Sequence, residues 1–137
     1  MIQYINLNNK VKINFGHNGR RIETYSYPID AVSEAVMNAF VHRDYTMTSD
    51  IKIELFDNRL AISSPGSLPD GLTVEDIKQG GNAKRNPFLI NALDKMDYIE
   101  KYGSGIRRIY SLYKVFKRQP ELIATHNLFT VILYNSK

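Results

Sequence analysis

The chain has 137 residues, 43% of them hydrophobic and 23% charged, which is ordinary globular usage and enough for one domain with a real core. It carries no cysteine, three scattered histidines and no apolar run near the roughly 18 residues of a membrane span, so disulfides, thiolate metal sites and membrane helices are excluded. The net charge of +4 suits a polyanionic ligand but is modest, and the N-terminus lacks the charged and apolar regions of a signal peptide, so a cytoplasmic protein with no membrane partner is expected.

In chain order, residues 1–7 fit the end of a helix. Val11–Phe15 and Arg20–Tyr25 alternate around a Gly16-His-Asn-Gly19 turn and read as a hairpin. Pro28 opens a helix with Asp30 or a neighbour as cap. Val32, Ala35, Val36, Ala39 and Phe40 form its apolar stripe. Ile51–Phe56 and Arg59–Ser63 read as strands joined by Asp57-Asn58. Pro65–Leu72 is a loop. Thr73 with Asp76 makes a capping box for a short helix that Gly80-Gly81 stops. Asn86-Pro87 caps a helix over Phe88–Met96. Gly105 opens a helix with Ile109, Leu112, Tyr113 and Phe116 on one face, and Phe129–Tyr134 is a last strand.

Glu34 and Asn38 share one helix face, off the centre of the stripe. A Glu there can orient or deprotonate water, and an Asn carboxamide oxygen is a hard ligand for magnesium. Spacing alone favours two solvated residues at the edge of an amphipathic helix, but Asn inside a helix costs on the order of tenths of a kcal/mol, which favours function. Gly103-Ser104-Gly105 at a helix start offers unhindered N–H groups and the positive end of the helix dipole, a phosphate cradle or equally a plain helix connection. His42-Arg43-Asp44 matches a kinase catalytic loop in three residues only, since Ser49 stands where Asn is needed. Gly66 and Gly71 have P-loop spacing, but Leu72-Thr73 follows instead of Lys-Ser/Thr. His42 to Tyr45 is therefore read as ending the helix and anchoring the next loop. Arg107, Arg108, Lys114, Lys117 and Arg118 make a basic helix, either a solvated face or, for the first two, a phosphate contact.

Taken together, Glu34-Ala-x-x-Asn38-Ala-x-x-His42-Arg-Asp-Tyr45, Ile62-Ser-Ser-Pro65-Gly66-x-Leu-Pro-x-Gly71-Leu72, Arg85-Asn86-Pro87 and Ile99-Glu100-x-x-Gly103-Ser-Gly105-Ile106 closely resemble a prokaryotic domain. That domain is labelled RecG-like or ATP-dependent DNA helicase-related, and belongs with the histidine-kinase/gyrase/Hsp90 (Bergerat-type) ATPases. The resemblance runs from about Arg21 to Phe116. The element order by itself gives an α+β fold with helices on one face of a mixed or antiparallel sheet, and the resemblance implies a two-layer α/β sandwich with a mixed sheet. It implies ATP and magnesium as cofactors, Asn38 as metal ligand and Glu34 as base. Gly103, Ser104 and Gly105 would meet phosphates, His42, Ser64, Gly66 and Gly71 would complete the nucleotide contacts, and Gly66 to Lys84 would form a lid.

The resemblance also implies a regulator that reaches DNA through flanking domains outside this chain, which is then a fragment of a larger protein; a homodimer is left open. The stretch Ser64-Pro65-Gly66-Ser67-Leu68 stands where the fold carries the adenine-reading Asp of Asp-x-Gly-x-Gly, and Asp70 is too far along to substitute. Little or no ATP turnover is expected, and with no Walker A motif the chain is not a helicase motor by itself. The reading is a nucleotide-binding regulatory module. The alternatives are a pseudo-ATPase for dimerisation or ligand sensing, and direct nucleic-acid binding by the Arg107 to Arg118 helix.

Overall fold

The computed structural model describes residues 11–15, 21–68, 72–79, 86–96 and 105–136. Residues 1–7, the Gly16–Gly19 turn and the Gly80-Gly81 stop lie outside the described residues. Strands β1 (Val11–Phe15) and β2 (Arg21–Tyr25) pair antiparallel as expected.

Helix α1 (Ile29–Val41) starts after Pro28, whose fixed φ of −60° and lack of an N–H suit a helix entrance. No side chain caps this start, so Asp30, the expected cap, is instead a first-turn residue free to reach another element. Ala31, Val32, Ala35, Val36 and Ala39 are buried, one face of 3.6-residue periodicity, while Phe40 on the expected stripe is exposed.

Strands β3 (Lys52–Leu55), β4 (Arg59–Pro65), β5 (Glu121–Ala124) and β6 (Leu128–Tyr134) form a sheet in the order β3-β4-β6-β5. Every described pairing is antiparallel, one of the two arrangements, mixed or antiparallel, that the element order allows. The reason is local: β3–β4 and β5–β6 are tight hairpins, and β6 lies between β4 and β5, so the long crossover from β4 to β5 never makes two parallel strands neighbours.

Leu60 faces Leu133 across the β4–β6 ladder, and Ile62 faces Val131; all four are essentially fully buried. Directly opposed residues point to one side of a sheet, and that side meets α1 together with Ile106, Ile109 and Tyr113 in a single core. Each of these aliphatic side chains contributes about 1.5–3 kcal/mol by leaving water. Ile106 and Ile109 belong to α4 (Gly105–Leu112), so α1 and α4 pack together on the same face of the sheet, as the two single apolar stripes require.

Between β4 and α4, α2 (Val74–Lys78) carries the expected capping box, Thr73 Oγ1 accepting from Asp76 N at 3.2 Å and Asp76 Oδ2 from Thr73 N at 2.9 Å. Helix α3 (Pro87–Lys95) matches the expected span. Helix α4 stops at Leu112, before Tyr113 and Phe116, because Gln119 Nε2 donates to the carbonyls of Tyr113 at 2.7 Å and Phe116 at 3.1 Å and ends the run in turns. Tyr113 still reaches the core, its hydroxyl donating to Tyr134 O at 2.8 Å.

Candidate functional site

Glu34 and Asn38 lie one turn apart on α1, outside the buried stripe and both half-buried. Helix α4 brings Gly105 against Glu34: a Cβ added at Gly105 would meet Glu34 Oε2 at 3.0 Å. The absent side chain therefore makes room for a carboxylate at the start of a helix, where N–H groups and the helix dipole favour negative charge. Glu34 Oε1 accepts from Arg108 Nη1 at 2.9 Å, and Arg108 Nη2 reaches Asp30 Oδ2 at 3.4 Å. One guanidinium thus links two carboxylates spaced i, i+4 on α1 to α4, 74 residues away in sequence from Glu34.

A second cluster closes the other end of α1. A helix leaves its last four carbonyls without intrahelical partners, and here each is satisfied. His42, at the C-cap, donates its backbone N–H to Asn38 O at 3.0 Å. Ser64 Oγ, buried, donates to Ala39 O at 2.8 Å. Tyr45 Oη donates to Phe40 O at 2.7 Å. Asn86 Nδ2 donates to Val41 O and again to Arg43 O, each at 2.8 Å. Arg43 then staples the following loop, donating to the carbonyls of Asp44, Met47 and Ser49, and Asp44 N donates to Pro65 O at 2.9 Å.

The sequence motifs separate on this geometry. Glu34 and Gly105 meet where α1 packs against α4, with Asn38 one turn along α1 from Glu34. His42 and Ser64 sit at the C-terminal end of α1, their polar groups given to its carbonyls, and His42 to Tyr45 ends the helix and anchors the loop as expected. Gly66 leaves β4 with φ 121°, a conformation open to glycine, and donates its N–H to Asn127 O at 2.9 Å. Gly71, Gly103, Ser104, Asp70 and the far part of the lid lie outside the described residues. Of the expected lid, residues 66–68 and 72–79 are described; they include α2, whose Ile77 packs on the core and whose Lys78 Nζ lies 5.5 Å from the Tyr110 ring centroid.

Sequence reasoning missed two residues. Asn86, expected to cap α3, takes φ 56° and turns its carboxamide to the end of α1. Arg108 was read for phosphate or solvent, and pairs with Asp30 and Glu34 instead. The signals present were an Asn before Pro, and two acids spaced for one arginine; neither names its distant partner.

With this geometry in place, comparison with known proteins is informative. The family described as "Putative ATP-dependent DNA helicase recG C-terminal" matches residues 48–133, from just before β3 into β6. The match includes Gly105 and Arg108 and begins after Glu34 and Asn38. Among curated proteins none matches. The crystal structure of the DIP2311 protein from Corynebacterium diphtheriae is similar over 99% of this chain with a TM-score of 0.88 and 26% identity. This chain spans 28% of that one.

Proposed function

We propose that this chain, which belongs to the family described as "Putative ATP-dependent DNA helicase recG C-terminal", is a nucleotide-binding regulatory domain that takes ATP with magnesium and turns it over slowly or not at all. The observation that carries this reading is the convergence of Glu34 and Gly105, two segments remote in sequence, at the start of α4. The residues present fit the ligand. At Gly105 a Cβ would meet Glu34 Oε2 at 3.0 Å, so the glycine makes room at the helix start for a negatively charged oxygen, the carboxylate now and a phosphate once Glu34 moves aside. Asn38, one turn from Glu34, supplies the oxygen a magnesium ion takes alongside phosphate oxygens. Bound magnesium would neutralise charge on the phosphate chain; the protein's own part is to position that chain and to hold Glu34.

In the ligand-free domain Glu34 is ion-paired to Arg108, and slow turnover follows from the adenine side of the site. The adenine-reading carboxylate has no counterpart at Ser64 to Leu68, and the Ser64 hydroxyl is committed to Ala39 O. The same pairing favours a second reading, a catalytically silent module for ligand sensing or dimerisation. Contact with DNA belongs in this proposal to flanking domains, and a cytoplasmic location is part of it. Among the described residues no helix is long and apolar enough to cross a membrane.

The test is a thermal melt with rising ATP, with and without magnesium. A ligand at a hundred times its Kd adds about 2.7 kcal/mol of stability. The melting temperature should rise with ATP and rise further with magnesium, and Asn38→Ala should lose the magnesium-dependent part. No stabilisation by millimolar ATP and magnesium removes the proposal.

A further inference from the structure

The triad of Asp30, Glu34 and Arg108 has more negative than positive charge and sits on the approach to the proposed phosphate cradle. Glu34 Oε2 lies against Gly105, on the ground an anion would need, and Glu34 Oε1 is held there by Arg108. The Arg108 side chain is 51% exposed, that of Asp30 64% and that of Glu34 21%, so a solute can reach Arg108 while Glu34 is sheltered by the helices. Arg108 lies one helical turn after Gly105, on the helix whose N-terminus adds positive potential to the same spot. Planar guanidinium binds phosphate in the same two-pronged way it binds carboxylate, and a phosphate chain carries more charge.

We propose that Arg108 is a latch: in the ligand-free domain it is the counter-ion of Glu34 and Asp30, and the phosphate chain of an incoming nucleotide takes it over. This rests on the nucleotide-binding reading above. The exchange moves no proton and breaks no covalent bond. The phosphate replaces the carboxylates on the guanidinium, and Glu34 leaves the Gly105 approach without its cation. Glu34 and Asp30 are thus competitors of the ligand, and Arg108 is the group competed for. Arg108 is a positioning residue in this account, acting on the site through Glu34 until the anion arrives.

A merely structural strut makes a different prediction. If the cluster only ties α1 to α4, removing Glu34 breaks one bridge and removing Arg108 breaks two, and both changes act in the same direction. The latch requires opposite directions. The measurement is the affinity for ATP without magnesium, by calorimetric titration, of the wild-type domain, Glu34→Gln and Arg108→Gln, with a thermal melt of each to show that all three fold. Arg108→Gln should weaken binding about tenfold, the scale of one charge-assisted phosphate contact. Glu34→Gln should tighten it about threefold, because a neutral amide neither holds Arg108 as strongly nor repels the chain. Both effects should shrink at high salt. Affinity changes of the same sign, or no change in either variant, with wild-type binding intact, overturn the latch alone. Absence of ATP binding in both wild type and Glu34→Gln overturns the nucleotide reading and the latch with it.

Discussion

Asn86 closes the C-terminus of α1: its Nδ2 donates to Val41 O and Arg43 O at 2.8 Å each, across 45 and 43 residues of sequence. To do so its backbone sits at φ 56°, a region where Asn and Gly are at home and other residues are strained. Asn86→Ala should therefore cost about 3–4 kcal/mol, two hydrogen bonds at roughly 1 kcal/mol each plus about 1–2 kcal/mol of left-handed strain in an alanine. Asn86→Gly loses the bonds without the strain and should cost less. Urea denaturation of the two variants checks the order; an alanine variant as stable as wild type would remove Asn86 from the cap.

Tyr113 predicts an alkaline limit to stability. Burial pushes its hydroxyl well above the ordinary tyrosine value, and burial also raises Tyr27 and Tyr110. The unfolded chain ionises its tyrosines near pH 10, while the folded chain still holds these protons. Their contribution is therefore complete below about pH 10 and is lost as pH rises above it. Tyr113→Phe should cost about 1 kcal/mol at neutral pH, through the lost bond to Tyr134 O, and should flatten the alkaline decline. Denaturation curves from pH 7 to 11 give both quantities; an unchanged alkaline slope in the variant would assign the decline elsewhere.

Much of this fold was legible because its signals are local. The apolar stripe of α1, the Thr73–Asp76 box and the Asp57-Asn58 hairpin each need only near neighbours in sequence, and each formed where expected. Strand β5 was not legible, since Glu121–Ala124 is four residues with no clear alternation and exists through its pairing with β6. The site divides in the same way. Glu34 and Asn38 could be placed on one face by spacing, and the motif order suggested Gly105 beside them. The Arg108 pair joins positions 74 apart and cannot be read from either segment. Ser64 and Asn86 also donate to carbonyls of another element, Ala39 O and Val41 O, partners that residue type alone does not name.

Gly105→Ala separates fold from ligand. The new Cβ meets only the far end of a flexible side chain, Glu34 Oε2 at 3.0 Å, which can give way by a few tenths of an ångström. Folding stability should stay within about 0.5 kcal/mol of wild type, with the gain in helix propensity offsetting the crowding. The stabilisation by ATP should fall, since the methyl group occupies the approach to the helix start. An Ala variant stabilised by ATP as fully as wild type would take Gly105 out of the site.

The remaining basic side chains set an expectation for DNA. Arg107, Lys114, Lys117 and Arg118 are exposed, but Arg118 lies 3.6 Å from the Tyr134 ring centroid and Arg108 is held by two acids. Binding to duplex DNA by this chain alone should be weak, independent of sequence and steeply reduced by salt, because it comes only from counterion release at phosphates. A fluorescence anisotropy series from about 50 to 200 mM salt, over which log K should fall linearly with log salt concentration, measures this. Tight, sequence-selective binding at the upper end would make this domain the DNA reader.

The central claim is that Glu34, Asn38 and Gly105 form one nucleotide site between α1 and α4. It is tested most directly by following backbone amide resonances during an ATP titration, first without and then with magnesium. The account predicts saturable shifts of Gly105 and Glu34 together on adding ATP, and a further shift at Asn38 only when magnesium is present. Shifts confined to the exposed arginines and lysines beyond Tyr113, or no saturable shift at Gly105 and Glu34, would contradict it.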